Sequence, residues 1–371
     1  MNITPLRPYF HEQDIKFIIE EFQKILEGQN FLTMGQFGEQ FEQEFAEYHE
    51  KKYAISCNSG TSALEIICRG LDLEGHEVIL PTNTFIASAN AILGAGGIPV
   101  FADIGKDMTI DPLSVKSLIN ERTKAIMTVH IGGYVSPNTY ELLDICEEHN
   151  ILLLEDAAQA HGSMLDGKKA GTFGIAGAFS FFPTKVLTTG EGGMVITDDQ
   201  NLYQKGLSLR QFGKTQEGIY QNYSKILGYN WRMTEVSALM GITQLKRIEQ
   251  FISRRTEISK IYDEELATLH SIEKLSMSKE VRHNWYKYIV FLKEHNREDV
   301  HLKLKQKYAI DLSGYVYEIP LHKQPALQKY VRSSLPNSED FCARHICLPL
   351  FYSLTDDDTR YIAASLKEVL Q

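Results

Sequence analysis

A single lysine in the stretch SFFPTKVLTTGEGG, residues 180–193, lies in a setting where an amine could take part in chemistry. Lys185 follows two phenylalanines and a proline, and it precedes Val186 and a run of Thr and Gly. Because a solvated lysine normally has polar neighbours, this setting favours one of two interpretations. The lysine either snorkels from the end of a buried strand, or it is a desolvated amine that forms a Schiff base with a carbonyl cofactor.

A carboxylate that could be the partner of this amine ends the apolar run ILLLEDAAQAHG. Taken alone, Asp156 is most simply a helix cap or a turn residue, but a carboxylate at the tip of a buried strand is costly unless it meets a cation. Pyridoxal phosphate requires an amine, an anion that keeps its pyridine nitrogen protonated, and a phosphate anchor. Lys185 and Asp156 would supply the first two.

The stretch CNSGTSALEI could supply the phosphate anchor. Its residues Asn58–Thr61 end a predicted strand and open a predicted helix, so free N–H groups would converge on one point, although the same pattern is also an ordinary helix cap. Ser180 could add a hydroxyl group to this site. Phe85, in PTNTFIASAN, could stack on the face of the cofactor or be a core aromatic at the start of a helix.

The elements that must position these residues alternate between helix and strand. Apolar residues at helical spacing predict helices over 13–27, 36–49, 61–72, 85–95, 111–120 and 138–149. Short β-rich runs predict strands at KYAISC, HEVILP, IPVFADI, KAIMTVH, ILLLED, GAFSFF and GGMVITD. This alternation predicts an α/β fold with a mostly parallel sheet and helices on both faces, in which ligands bind at the carboxyl ends of the strands.

The last third of the chain has a different pattern. Residues 230–269 predict one long helix or two in succession, and YKYIVFL predicts a strand within a mixed α/β region. We therefore expect a large domain over residues 1–245 and a smaller C-terminal α/β domain over residues 246–371.

Composition and charge exclude several classes of protein. The 371 residues are 43% hydrophobic and 23% charged, which is an ordinary globular balance. The net charge of −10 argues against a nucleic-acid partner, and no basic run marks a membrane surface. Five cysteines without paired metal-type spacing argue against a disulfide scaffold or a zinc site. Since no apolar run reaches the length of a membrane span and MNITPLRPYF does not look like a leader, we expect a cytoplasmic protein with a small-molecule substrate.

Together these segments resemble the DegT-type nucleotide-sugar aminotransferases, a branch of the fold-type I pyridoxal-phosphate enzymes of the aspartate aminotransferase superfamily. The resemblance runs nearly from end to end, through FLTMGQFGEQFEQEF, SGTSALEIICRGL, PTNTFIASANAIL, VFADI, EDAAQAHGS, GTFGIAGAFSFFPTK, TTGEGGMVITDD, NWRMTEVSALMGITQL and LPLFYSLT. It implies a fold-type I structure, pyridoxal 5′-phosphate as cofactor and a homodimer with shared active sites.

The resemblance also implies roles for individual residues. Lys185 matches the lysine that holds the cofactor, and Asp156 matches the partner of the pyridinium nitrogen. The remaining cofactor contacts are implied at Gly60, Thr61, Phe85, Gln159 and Ser180, and at Asn230 reaching into the partner subunit. Arg232 is a weaker match, for the carboxylate of the amino donor.

The expected reaction transfers the amino group of L-glutamate to a nucleotide-linked 3-keto or 4-keto 6-deoxyhexose, for a surface polysaccharide or a glycoconjugate. A free keto-sugar or keto-cyclitol is the alternative acceptor. A dehydratase of the same fold is disfavoured because its lysine position holds a histidine, and a nicotinamide oxidoreductase is disfavoured because SCNSGTSALE lacks the Gly-rich fingerprint. A binding or regulatory protein that has kept the fold is disfavoured because the sequence has the full set of lysine, aspartate and phosphate-site residues.

The sequence departs from the family pattern at Val186, at Trp231 and in HIGGYVSPN, and the last of these borders the expected sugar site. Val186 and Trp231 replace a more usual Asn and Tyr, and HIGGYVSPN replaces the more frequent His-Leu-Tyr-Gly motif. His283 and His322 lie in stretches that resemble segments at the mouth of the active site, and we expect them to line the substrate cleft. His161 is more simply a hydrogen-bonded structural residue than a catalyst.

Overall fold

The computed structural model describes residues 2–217 and 220–371, and within these ranges the chain alternates between helices and strands. The helices are α1 Glu12–Leu26, α2 Gln36–Tyr48, α3 Gly60–Gly70, α4 Ile86–Gly94, α5 Pro112–Leu118, α6 Asn138–His149, α7 Gln200–Arg210, α8 Glu235–Leu245, α9 Ile248–Glu265, α10 Arg297–Tyr308, α11 Pro336–Arg344 and α12 Asp356–Val369. The strands are β1 Tyr53–Cys57, β2 Glu77–Pro81, β3 Ile98–Ala102, β4 Thr123–Val129, β5 Leu152–Asp156, β6 Met164–Leu165, β7 Lys168–Lys169, β8 Ala176–Ser180, β9 Gly193–Thr197, β10 Lys214–Glu217, β11 Tyr220–Ser224, β12 Ile272–Lys274, β13 Val281–Arg282, β14 Tyr288–Leu292 and β15 His345–Leu348. Short 3₁₀ helices cover Ile131–Gly133, Leu321–Lys323 and Pro325–Tyr330.

Seven strands form the central sheet, in the order β1-β9-β8-β5-β4-β2-β3. All neighbouring pairs from β8 to β3 are parallel, while β9 runs antiparallel to both β1 and β8. As a result, β1, β2, β5 and β8 all end at the same edge of the sheet. The segments that carry the expected cofactor contacts follow these four strand ends, so the topology brings them together.

Both faces of this sheet are covered. In β2, Ile79 packs into one hydrophobic cluster, while Val78 and Leu80 pack into another on the opposite face. Strands buried on both faces need continuous apolar sequence rather than alternation. This explains the uninterrupted runs in the sequence, and it confirms the predicted α/β fold with a mostly parallel sheet between helices.

The C-terminal part has its own small antiparallel sheet, in the order β12-β14-β15. Its hydrophobic cluster includes Ile258 and Tyr262 of α9, and it also includes Ile3, which forms a parallel bridge with Ile310. The start of α9 packs elsewhere, since Ile248 lies in a cluster on the large sheet. Helix α9 thus joins the two cores, and the expected division at residue 246 stays a prediction.

The predicted elements are confirmed with shifted ends. The stretch 230–269 forms two helices, α8 and α9, which are separated by a turn at Lys246 and Arg247. Residues 230–234 are not helical, and the Oγ1 of Thr234 caps α8 by accepting from the N–H of Ser237. The helix expected over 111–120 is the seven-residue α5, which starts with a proline at its first position. Among the helices of the described residues, none is both long and apolar enough to cross a membrane.

Candidate active site

A cavity of about 320 Å³ opens where β1, β2, β5 and β8 end. It contains seven of the eight residues that the sequence assigned to the cofactor, and Asn230 is the exception. The residues that line it are Ser59, Gly60, Thr61, Leu64, Phe85, Ala87, Asp156, Ala158, Gln159, Ser180, Phe182, Thr184, Lys185, Glu191, Tyr286, Val316 and Tyr317.

Lys185 lies in the turn that follows β8, where its N–H donates to the carbonyl of Phe182 at 2.9 Å. Its side chain is half-buried, and Nζ lies 4.9 Å from the centroid of the Tyr286 ring. The Tyr286 hydroxyl also lies 3.2 Å from Thr184 Oγ1. Although burial alone raises the pKa of Tyr286, the positive charges of Lys185 and Lys287 bring this pKa below its ordinary value.

The neighbours of Lys185 divide between the core and the cavity. Phe181 and Val186 are buried, whereas Phe182 is 45% exposed and lines the cavity. The apolar residues around Lys185 therefore belong partly to the core and partly to the wall of the cavity.

Asp156 is the last residue of β5, and its carboxylate is buried at the cavity wall. Oδ2 accepts from the Ser88 hydroxyl at 2.8 Å, and Oδ1 accepts from the N–H of Ala158 at 3.2 Å. Burial raises the pKa of Asp156, and these two hydrogen bonds and the charge of Lys185 oppose that effect only in part. A buried carboxylate whose charge is not balanced fits a cationic ring nitrogen placed in the cavity.

The adjacent Glu155 faces away from the cavity. Its carboxylate accepts from the N–H groups of Gly171 and Gly174 and lies 2.8 Å from Nε2 of His130. Three such contacts make it a structural anchor for the loop before β8.

The phosphate end of the site is the N-terminus of α3. Ser59 caps this helix, because its Oγ accepts from the N–H of Ser62 at 3.1 Å, and the N–H groups of Gly60 and Thr61 lie in the first turn. A Cβ at position 60 would lie 2.6 Å from the Cβ of Ser180, so only glycine allows β8 to approach the helix end this closely. The fit to a phosphate group is therefore built into the backbone.

Gln159 is held from both sides. Its Oε1 accepts from the N–H of Gly132 at 2.7 Å, and its Nε2 donates to the hydroxyl of Tyr317. The Tyr317 ring lies nearly parallel to that of Phe85, with the centroids 6.5 Å apart and an angle of 28° between the planes. Phe85 is 59% exposed, so its ring is available to a flat ligand.

Sequence reasoning missed Ser88, Tyr286 and Tyr317. Tyr286 lies in a bend two residues before β14, and only the fold shows that its ring meets Lys185. Ser88 and Tyr317 carry no spacing signal at all, because each reaches the site through a contact that is distant in sequence.

Neither His283 nor His322 lines this cavity, and the expectation that they do is corrected here. His283 is buried, its Nδ1 accepts from the N–H of Trp285 at 2.9 Å, and burial lowers its pKa to about 3. His322 is buried between Thr82 and Glu339, at 2.9 Å and 3.0 Å from its two ring nitrogens. Both histidine side chains make hydrogen bonds inside the protein and do not face the cavity.

His161 is also internal. It is fully buried, its ring lies 5.4 Å and 5.6 Å from the rings of Phe179 and Phe181, and burial lowers its pKa well below the ordinary value. These contacts place it in an aromatic core behind the sheet edge.

Asn230 and Arg232 lie outside the cavity of their own chain. Asn230 is exposed, and its carbonyl accepts from Asn58 Nδ2 at 3.5 Å. The guanidinium of Arg232 lies 5.0 Å from the centroid of the Phe212 ring. The roles implied for these two residues stay predictions.

Residues 12–367 match the model of the DegT/DnrJ/EryC1/StrS aminotransferase family. GDP-perosamine synthase of Escherichia coli O157:H7 is 37% identical over 342 residues, covering 91% of each chain.

Solved structures of similar proteins agree with this match. PseC of Helicobacter pylori, an aminotransferase involved in the biosynthesis of pseudoaminic acid, superposes with a TM-score of 0.92 at 29% identity, covering 100% of this chain and 99% of PseC. NtdA of Bacillus subtilis with bound cofactor PMP superposes with a TM-score of 0.89 at 28% identity, covering 99% of this chain and 86% of NtdA. The chain belongs to the DegT/DnrJ/EryC1/StrS aminotransferase family.

Proposed function

We propose that this protein uses pyridoxal 5′-phosphate to transfer the amino group of L-glutamate to a nucleotide-linked keto-sugar. The observation that carries the proposal is the pairing, in one cavity, of the Lys185 amine with the buried Asp156 carboxylate. Neither side chain has a counter-charge within ion-pair distance among the described residues, so the cavity presents an amine and a buried anion to a ligand that needs both.

The residues that would hold the cofactor are those whose positions fit its parts. The N–H groups at the start of α3 and the Ser180 hydroxyl suit the phosphate, Asp156 suits the ring nitrogen, and Phe85 suits a ring face. Gln159 suits the ring oxygen, because its amide is fixed by Gly132 and Tyr317. When bound, the cofactor supplies an electron sink for the carbon that loses and regains a proton.

Lys185 is the group that moves this proton. With its amine free, Lys185 would be the base on the cavity wall that acts in both halves of the reaction. The Tyr286 hydroxyl beside it, which also contacts Thr184, positions the amine. Asp156 contributes a fixed negative charge in a buried position, where its electrostatic effect is strong.

The names of relatives support a nucleotide-linked acceptor. They include GDP-perosamine synthase, the UDP-4-amino-4,6-dideoxy-N-acetyl-beta-L-altrosamine transaminase of Helicobacter pylori and the dTDP-3-amino-3,4,6-trideoxy-alpha-D-glucose transaminase of Micromonospora megalomicea. We therefore infer a 3-keto or 4-keto 6-deoxyhexose as acceptor, with the product used in a surface polysaccharide or glycoconjugate.

The proposal is tested by incubating the cofactor-loaded protein with L-glutamate and a panel of dTDP-, UDP- and GDP-linked keto-sugars. We expect 2-oxoglutarate and an amino-sugar in equal amounts for at least one compound, with ping-pong kinetics. Turnover of a free keto-sugar or keto-cyclitol, with none of the nucleotide-linked compounds accepted, would refute the acceptor class and leave the cofactor chemistry standing.

We further propose a homodimer in which each site takes Asn230 from the other subunit. Asn230 is exposed, and the surface around its segment is apolar: Leu227 is 89% exposed, and Phe31 and Leu32 lie in a loop tied to this segment by a hydrogen bond from Thr33. Exposed apolar clusters of this kind mark protein interfaces. A two-fold contact would cover the cluster on both copies.

A further inference from the structure

A second, smaller cavity lies on the other side of Lys185. Its volume is about 80 Å³, and it is enclosed by the N-terminal residues 5–9, the turn that carries Lys185, and residues of the C-terminal part. Thr184, Lys185 and Tyr286 line both cavities, so these three residues lie between them.

Among the described residues, the wall of the second cavity carries positive charge and no negative charge. Four cationic side chains of this part of the chain line it, namely Arg7, Lys185, Arg255 and Lys287, and no described Asp or Glu does. This contrasts with a net charge of −10 for the whole chain. Such a wall attracts an anion.

Arg255 is the most unusual of the four. It is 7% exposed, and its Nη1 donates to the carbonyls of Trp285 at 2.9 Å and Leu350 at 3.0 Å. Within the described part of the chain no carboxylate lies at ion-pair distance from it, and burial lowers its pKa to about 10. A buried guanidinium that is bonded only to neutral carbonyls is costly, and an anion in the cavity would offset this cost.

Lys287 completes the wall close to the reacting amine. Its Nζ donates to the carbonyl of Ser313 at 2.5 Å and lies 5.3 Å from the centroid of the Tyr286 ring. Lys185 Nζ lies 4.9 Å from the same centroid. The two ammonium groups are thus gathered around one aromatic ring.

We propose that this basic cavity binds the carboxylate of the amino donor, and this inference rests on the proposed function. The donor nitrogen must reach the atom that Lys185 holds, and the α-carboxylate is only two bonds from that nitrogen. The carboxylate must therefore lie beside Lys185, where the second cavity is. A nucleoside diphosphate is excluded by size, since 80 Å³ accommodates only a few water molecules at roughly 10–15 Å³ each.

The assignment places the donor site within one chain. Arg232, which the sequence suggested for this role, does not line either cavity of its own chain. Arg255, Lys287 and the more exposed Arg7 are the groups that face the carboxylate, and Arg255 is fixed in place by its two carbonyl contacts.

The test compares Lys287→Met with Lys293→Met in the cofactor-loaded protein. The two lysines flank β14, and each substitution removes one positive charge, but Lys293 is exposed and does not line the cavity. Conversion of the cofactor by L-glutamate is followed by absorbance without any keto-sugar, and binding of glutarate, a dicarboxylate without an amine, is measured by calorimetry. For Lys287→Met we expect the dissociation constants of both ligands to rise roughly 10- to 100-fold, as for the loss of a charged hydrogen bond. Lys293→Met should match the wild type.

Arg7→Ala provides a second variant should Lys287→Met fail to fold, because Arg7 is exposed. We expect a smaller rise, of about threefold or more, in the glutarate dissociation constant. Unchanged glutamate and glutarate constants in a folded variant would overturn the inference, as would a rise confined to the Michaelis constant of the nucleotide-linked sugar. If the wild-type protein itself does not react with L-glutamate, the proposed amino donor is wrong. This outcome is distinct from unchanged constants in the variants, which would overturn the carboxylate site.

Discussion

Asp156→Asn separates the charge of this side chain from its shape. Asparagine is nearly isosteric with aspartate, and it keeps an oxygen that can accept from Ser88 Oγ or from the N–H of Ala158. What the variant loses is the negative charge that would face the ring nitrogen of the bound cofactor. We therefore expect a folded protein that binds cofactor and reacts slowly.

The size of the effect follows from the burial of Asp156. Two opposite unit charges about 3 Å apart interact by about 5 kcal/mol at an effective dielectric constant of about 20. Because each ~1.4 kcal/mol is a factor of ten in rate, losing this interaction in the transition state lowers the rate by about 10³- to 10⁴-fold.

The same substitution, which slows the reaction, should raise the stability of the cofactor-free protein. Burial holds the pKa of Asp156 above its ordinary value of 3.8, so the folded, cofactor-free protein favours the protonated acid more than the unfolded chain does. That contribution to stability is complete below the ordinary pKa and is lost as pH rises through the folded-state pKa. At about pH 7 we expect the cofactor-free variant to have the higher free energy of unfolding, and the difference should close as pH falls toward about 4.

Both effects are measured on the same preparations. Single-turnover absorbance with L-glutamate gives the rate, and denaturant unfolding with and without cofactor gives the stability. Ser88→Ala is the matched control, since it removes one hydrogen bond to Asp156 but keeps the charge, and we expect a loss of at most about 100-fold. An Asn variant with a wild-type rate would remove Asp156 from the mechanism, and a cofactor-free variant that is less stable than wild type at neutral pH would contradict the electrostatic reasoning.

Three other predictions concern neighbouring features. Lys185→Ala should abolish turnover while the cofactor is still retained through the phosphate site and Asp156, which equilibrium dialysis can check; a wild-type rate would disprove the role of Lys185. Gly60→Ala should weaken cofactor binding by at least about tenfold, because the new Cβ would lie 2.6 Å from the Cβ of Ser180, and unchanged affinity in a fluorescence titration would show that the backbone there is not confined. Mixing Lys185→Ala with Asn230→Asp protein should restore activity through heterodimers that contain one intact site; no recovery after verified subunit exchange would argue against a shared site.

A fourth prediction follows from His283. Its pKa is about 3 in the folded protein and about 6.5 when unfolded. Between these two pH values the unfolded chain binds a proton at this residue and the native state does not. Stability from this group is present above the unfolded pKa and is lost as pH falls below it, by about 1.4 kcal/mol per pH unit. Replacing His283 by Leu should reduce the slope of unfolding free energy against pH between about 6 and 4. An unchanged slope would show that the ring is already accessible to protons.

The sequence predicted the central sheet well because its strands are buried on both faces. Continuous apolar runs such as ILLLED and HEVILP identify such strands without any partner information. Residues that follow strand ends could therefore be assigned to one edge, and Gly60, Phe85, Asp156 and Lys185 do meet there.

The rest of the site depends on contacts that no local pattern records. Tyr317 reaches Gln159 across 158 positions of sequence, and Ser88 reaches Asp156 across 68. The same limit explains the error for His283 and His322. Proximity in sequence to segments at the active-site mouth does not determine which way a side chain points, and both rings turn into the protein.

The central claim is that the cofactor is held by the amine of Lys185. Borohydride reduction of the pyridoxal-phosphate-loaded protein fixes the cofactor to whichever amine holds it, and peptide mass mapping then locates the adduct. We predict a single adduct, on the peptide that contains Lys185, and none after prior treatment with L-glutamate. An adduct on another lysine, or a protein that takes up no cofactor, would contradict this account.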